Sequence, residues 1–138
     1  MPLIKSISGI RGTIGGKPSE TLSPVDTVKF TAAFGMMLLE NHTDSSCNLK
    51  IVIGRDGRIS GAMISSLVTN TLIGLGIDVV DLGLSTTPTV EVAVKMEKAD
   101  GGIILTASHN PKEWNALKLL NADGEFTRAA QGASGLEK

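Results

Sequence analysis

Short apolar runs alternate with longer stretches of helical spacing through most of this chain. Ser23-Pro24-Val25-Asp26 reads as a helix start, with Ser23 as N-cap, Pro24 at the first helical position and an acid in the first turn. Val25, Val28, Ala32, Met36 and Leu39 then recur at helical spacing, and a second stripe of Phe30, Phe34 and Met37 widens the apolar surface. A helix with two such stripes is expected to pack on more than one side, and the polar HTDSS segment ends it. Leu49 to Ile53 reads as a short strand, and Ser60 as the cap of a second helix carrying Ile64, Leu67, Val68, Thr71 and Leu72, closed by Gly74 and Gly76. A strand from Asp78 to Leu82 follows, then a helix opened by Pro88 and running to about Met96, then a strand from Gly102 to Thr106.

That order predicts parallel βαβ units with right-handed crossovers, hence a three-layer α/β/α domain on a mixed, mostly parallel sheet. Ala116 to Leu120 and the turn Ala122-Asp123-Gly124-Glu125 read as the first arm of a hairpin, which would add an antiparallel edge strand. Residues 1–126 form the predicted domain. Residues 127–138 have no apolar period and read as a linker or the cut end of a longer chain.

Composition narrows the functional classes. A chain of 138 residues is enough for one core, burying roughly 68% of its unfolded surface. With 41% hydrophobic residues, 20% charged residues and a formal net charge of −1, the chain has no basic face for nucleic acid. The single cysteine, Cys47, cannot form an internal disulfide. The N-terminal MPLIKSISGIRG lacks a signal-peptide pattern, and no apolar run approaches the ~18 residues of a membrane span. A cytoplasmic location without a membrane partner is the expectation. Asn41-His42-Thr43 has the form of a glycosylation sequon, but without a secretion signal it reads as a polar loop.

Three loops follow the predicted parallel strands: GRDGR, GLSTTP and ASHNP. In open α/β sheets ligands bind beyond the carboxyl ends of the strands, so these loops would bring Arg55, Asp56, Arg58, Thr87, Ser108, His109 and Asn110 to one site. The N-terminal SGIRG, with Arg11 between glycines, would fold over it. Spacing excludes several sites. GTIGGKP fails as a phosphate-binding loop, because its first glycine falls on Arg11 and Pro18 replaces the needed Ser or Thr. GLGIDV has valine in place of the third glycine of a dinucleotide fingerprint, and Ser108 lacks the flanking glycines of a hydrolase elbow. Two distant histidines and one cysteine do not make a zinc site.

Ser108 beside His109 suggests a nucleophile and base, yet adjacent residues on an extended segment point to opposite sides, which disfavours a hydrolase triad. The alternative is a serine that carries a phosphoryl group, whose charge of about −1.5 to −2 calls for cations such as Arg11, Lys112 and Lys118. A purely structural reading stands beside both. Asn110-Pro111-Lys112-Glu113 has the form of a capped helical turn, and Asp56-Gly57 is a common turn.

Thr106-Ala107-Ser108-His109-Asn110-Pro111 resembles the active-site serine loop of the α-D-phosphohexomutases. SGIRG resembles that family's opening Gly-x-Arg-Gly element, GRDGR its Gly-Arg-Asp-x-Arg turn, and Thr87-Pro88 its Thr-Pro loop, so the resemblance covers nearly all of the chain to about Phe126. Members have four domains, and this chain is similar to the first.

The resemblance implies an intramolecular phosphotransferase in which Ser108 is the phosphoserine. It would move a phosphoryl group between the 1 and 6 positions of a hexose phosphate through a hexose 1,6-bisphosphate that turns over in the site. The Ser108 phosphate would also help bind Mg²⁺, whose other ligands belong to a later domain. By the same resemblance Arg11 and Lys118 would sit near the phosphoserine, with Lys118 assisting proton transfer, while His109 and Asn110 shape the loop. Members often have Asn-Gly before that lysine, whereas here Asn115-Ala116 follows Trp114, which opens the question of the local backbone shape. The metal loop, the sugar-specificity loop and the substrate-phosphate loop of the family do not occur in this sequence. The chain alone is therefore expected to be a fragment without appreciable turnover, whose uncovered faces favour self-association. The competing expectation is a non-enzymatic α/β module binding an anion or a partner protein through the same loops.

Overall fold

The computed structural model describes residues 4–6, 9–13, 22–41, 48–57, 60–106 and 114–125. Among them the elements are β1 (Ile4–Ser6), β2 (Gly9–Thr13), α1 (Pro24–Asn41), β3 (Lys50–Arg55), α2 (Gly61–Gly74), β4 (Asp78–Leu84), α3 (Thr87–Met96), β5 (Gly101–Leu105) and β6 (Trp114–Leu120). The strands form a six-stranded sheet in the order β1-β2-β6-β5-β3-β4.

The helix boundaries follow from local chemistry. The Ser23 side chain accepts a hydrogen bond from the Asp26 amide at 3.2 Å and donates to the Asp26 carboxylate at 2.6 Å, a reciprocal cap that starts α1 where the sequence predicts. At the end of α2, Gly76 N–H donates to Ile73 and Ile77 N–H to Leu72, both to carbonyls, which satisfies the orphan acceptors of the last turn. Ile77 and Leu72 are both buried there, the apolar contact that accompanies this motif. Thr86 caps α3 by accepting from the Thr89 amide at 3.3 Å, with Pro88 in the first turn.

Two apolar clusters lie on opposite faces of the sheet. On one face Phe30 and Phe34 of α1 and Ile64, Val68 and Leu72 of α2 meet Ile51, Ile53, Ile103, Leu105 and Leu117. On the other, Val90 and Val94 of α3 meet Val52, Ile104 and Leu120. Residues that alternate along β3 and β5 thus face opposite layers, and the domain is a three-layer α/β/α sandwich. The approach of α3 is close: a Cβ at Gly54 would collide with Val90.

The sheet is mixed. β4, β3 and β5 are parallel neighbours, β6 runs antiparallel to β5, β2 antiparallel to β6, and β1 antiparallel to β2. Two successive reversals return β2 to the direction of β5, so β2, β3, β4 and β5 share one direction and only β1 and β6 oppose it. The antiparallel edge is supplied by β1. The segment expected to form that edge is β6, an interior strand between β5 and β2. SGIRG contributes β2 to the sheet, and its glycines had masked a strand whose Ile10 is buried in the core.

The two stripes of α1 also separate. Phe30 and Phe34 are buried, whereas Val25, Val28, Met36 and Leu39 are exposed, so within this domain the helix packs on one side. No described helix is long and apolar enough to cross a membrane.

Candidate functional site

The carboxyl ends of β5, β3 and β4 lie side by side because the three strands are parallel neighbours. After β3 the chain crosses to β4 on one side, and after β5 it returns as β6 on the other. The gap between β3 and β5 is therefore a topological switch point, the crevice at which open α/β sheets bind ligands. Backbone bonds fix this rim: Asp56 N–H donates to Leu105 O at 3.1 Å, and Ser85 N–H to Arg55 O at 2.8 Å. The register between β3 and β4 shifts between Ile53 and Arg55, where β4 accommodates one extra residue. Gly83 (φ 68°) takes the left-handed conformation there, and its amide donates to Asp81 Oδ1 at 2.8 Å.

Side chains then lock the two stems of the segment between β5 and β6. On the first stem, buried Thr106 donates its hydroxyl to Asp56 Oδ2 at 2.7 Å and its amide to Ala116 O at 3.2 Å. On the second, fully buried Asn115 donates from Nδ2 to Ser60 Oγ at 2.8 Å and accepts the Ala116 amide on Oδ1 at 2.8 Å. Ser60 precedes α2 with helical backbone angles (φ −74°, ψ −7°) in place of the extended ones of a capping residue, so its side chain makes no capping bond and its hydroxyl accepts from Asn115. Both stems are thus anchored to residues that follow β3. A buried polar side chain with its partner fixed has little freedom, so Thr106 and Asn115 are held in place relative to the end of β3.

Of the residues singled out by sequence, Arg55, Asp56 and Thr106 meet at this rim. Arg55 is half-buried, and its guanidinium lies against the start of α2, since a Cβ at Gly61 would be 3.3 Å from Arg55 Nη1. Lys118 is half-buried in β6, in register with Ile104 on one side and Gly9 on the other. Arg11 lies in β2 with its backbone paired to Ala116. Ser108, His109, Asn110 and Arg58 lie outside the described residues. The question raised by Asn115-Ala116 has a clear answer: β6 runs unbroken through Trp114–Leu120, and buried Ala116 fits a regular strand position. Sequence reasoning missed the clamp of Asn115 on Ser60. The available signal was an asparagine next to an apolar run, a position at which a buried amide requires partners.

Comparison with known proteins agrees with this geometry. Residues 3–134 match the family model of the phosphoglucomutase/phosphomannomutase α/β/α domain I. A phosphoglucomutase/phosphomannomutase of Thermococcus kodakarensis is 38% identical over 82% of this chain and 25% of its own length. A phosphoglucosamine mutase of Latilactobacillus sakei is 38% identical over 84% of this chain, again 25% of its own. The chain thus spans about a quarter of the length of these curated relatives. The crystal structure of a phosphoglucomutase/phosphomannomutase family protein from Burkholderia thailandensis superposes with a TM-score of 0.78 at 27% identity, covering 95% of this chain and 28% of that one. With the domain model matched over residues 3–134 and two curated mutases 38% identical over more than four fifths of the chain, the chain belongs to the phosphoglucomutase/phosphomannomutase family.

Proposed function

We propose that this chain is the serine-bearing domain of a phosphohexomutase and that Ser108 carries the phosphoryl group. The observation that supports this reading is the double clamp, Asp56 to Thr106 and Ser60 to Asn115, on the stems of the segment that contains Ser108. Phosphoryl transfer asks the protein chiefly for positioning and charge stabilisation, and a carrier serine between two fixed stems meets the first demand. In the forward half-reaction the bond from phosphorus to Ser108 Oγ breaks as a bond to a hexose hydroxyl oxygen forms. The hydroxyl proton passes to a base and the serine oxygen recovers a proton. The resulting bisphosphate then returns its other phosphoryl group to Ser108 by the reverse exchange.

Lys118 and Arg11, on adjacent strands, are assigned to the anionic group, Lys118 also to the proton movement. His109 and Asn110 shape the loop, and Arg55, Asp56 and Arg58 support it. Mg²⁺ would neutralise charge on the transferring group, with the Ser108 phosphate as one ligand. Among the described residues no three His, Cys, Asp or Glu side chains gather into a metal-holding group, so those residues give the ion no cage of their own and no step here is routed through it. The sugar grip and the remaining metal ligands are assigned to other family domains, so the 138-residue chain alone should not convert glucose 1-phosphate.

Incubation of a protein that joins this domain to the remaining family domains with glucose 1,6-bisphosphate, followed by proteolysis and mass spectrometry, tests the reading. Phosphate is expected on the peptide containing Ser108 and should be absent from the Ser108→Ala chain. Stable phosphate on another residue, with Ser108 unmodified, would overturn it.

A further inference from the structure

The sheet ends on one side at β4, whose outer edge has no partner strand among the described residues. Across the inner edge, Asp78 N–H donates to Leu49 O at 2.8 Å. Backbone groups alternate between the two edges along a strand, so Val79 and Asp81 send their N–H and C=O groups outward. Beyond them the open stretch ends, because the register with β3 shifts and the Gly83 amide is taken by Asp81 Oδ1. Side chains alternate as well: Val79 packs toward α1 and α2, while Val80 and Leu82 join the layer of α3.

Between this edge and α2 runs a groove of about 480 Å³. Its apolar wall is Ile73, 57% exposed, with half-buried Val79. Its polar part is acidic. Asp78 and Asp81 line it, no lysine or arginine does, and neither carboxylate joins an ion pair among the described residues. Thr69 lines it too, and its hydroxyl is buried without a hydrogen-bond partner, a deficit that a polar group seated beside it would relieve.

A free strand edge beside a helix-walled groove is the geometry that accepts an extended peptide as one more strand. The charges select the peptide. Two carboxylates on the edge repel a second copy of β4 and attract lysine or arginine. In an added strand, the residue beside Val79 meets the apolar wall. Its neighbours beside Asp78 and Asp81 stand one position away on one side and two on the other.

We infer that the β4 edge and the groove along α2 form a docking site for an extended basic peptide, in which an apolar residue has Lys or Arg one position away on one side and two on the other. The site lies along the first half of β4, whereas the stems of the serine segment lie at the carboxyl ends of the strands. Docking and phosphoryl transfer are thus separate.

Fluorescence anisotropy of dye-labelled, end-capped peptides tests this in a protein that joins the domain to the remaining family domains. Thr-Lys-Val-Thr-Lys-Thr and its reverse, Thr-Lys-Thr-Val-Lys-Thr, cover the two strand directions. Saturable binding of at least one is expected at low salt, with protection of the Val79 and Asp81 amides in hydrogen–deuterium exchange. Asp78→Asn and Asp81→Asn should each weaken binding by about threefold, and together by about tenfold. Mutase turnover of these variants should stay unchanged, and Glu97→Gln should leave binding unchanged. Failure of both peptides to bind overturns the inference, as does binding that ignores the double variant. Equal binding of Lys-Lys-Thr-Thr-Thr-Val also overturns it, since charge alone would then suffice. Displacement by spermidine at the peptide's own affinity would assign the groove to a small cation and overturn it too.

Discussion

At one rim of the sheet Thr106 and Asn115 are buried and bonded to Asp56 and Ser60. At the opposite rim Lys50 reaches the Glu97 carbonyl at 3.2 Å and its carboxylate at 3.8 Å, and Asn48 reaches Asp78 at 3.5 Å, all in exposed positions. Both rims are rich in polar contacts, but the first pairs buried Thr106 and Asn115 with half-buried partners, and the second leaves these pairs wet. A buried polar pair is costly to break because the abandoned partner stays unsatisfied, whereas an exposed pair returns to solvent at little cost. The rim that bears the serine segment is therefore the one whose geometry is enforced.

Substitutions at four positions would break or sharpen that contrast. The largest effect is expected from Ser108→Ala in a protein that joins this domain to the remaining family domains. Mutase turnover should fall by at least about 10³-fold, and stability in urea should stay unchanged. Wild-type turnover would remove Ser108 from the chemistry. Next is Asn115→Ala, which strands the Ala116 amide and leaves Ser60 without its donor. Urea denaturation should show a loss of about 2–3 kcal/mol. Asp56→Ala leaves the buried Thr106 hydroxyl without its acceptor and should cost about 1–2 kcal/mol, with Asp56→Asn recovering part of it. At the wet rim Glu97→Ala should change stability by less than about 0.5 kcal/mol. A cost there equal to that of Asn115→Ala would end the distinction between the rims.

Much of this architecture could be read from the chain itself, and the exceptions share a cause. Caps and turns such as Ser23 with Asp26, Pro88 after Thr86, and Gly76 after α2 are local, and their signals lie within a few residues. The strand positions were also legible, since Ile51 to Ile53 and Ile103 to Leu105 are apolar runs ended by turn residues. What sequence alone did not reveal depends on distant partners. Asn115 and Ser60 are 55 positions apart, and Thr106 and Asp56 are 50 apart, so neither residue announces the other. β2 escaped because Gly9 and Gly12 resemble a loop until β6 is beside them. The stripes of α1 share one period, and only the placement of the sheet distinguishes the face that meets the core from the face that meets solvent.

The place of β6 between β5 and β2 has a consequence for the order in which the domain is made. β5 and β6 are near neighbours in the chain, so their pairing closes a short loop, but Arg11 in β2 must wait for Ala116. Contacts of such separation form late. At a synthesis rate of roughly 5–20 residues per second, the hundred or so intervening residues take about 5–20 s to emerge. During that interval the strand that carries Arg11 has only β1 beside it, and Ile10 lacks the β6 neighbour that joins it to the sheet. On the ribosome, the N-terminal segment is thus the last piece of the sheet to find its place.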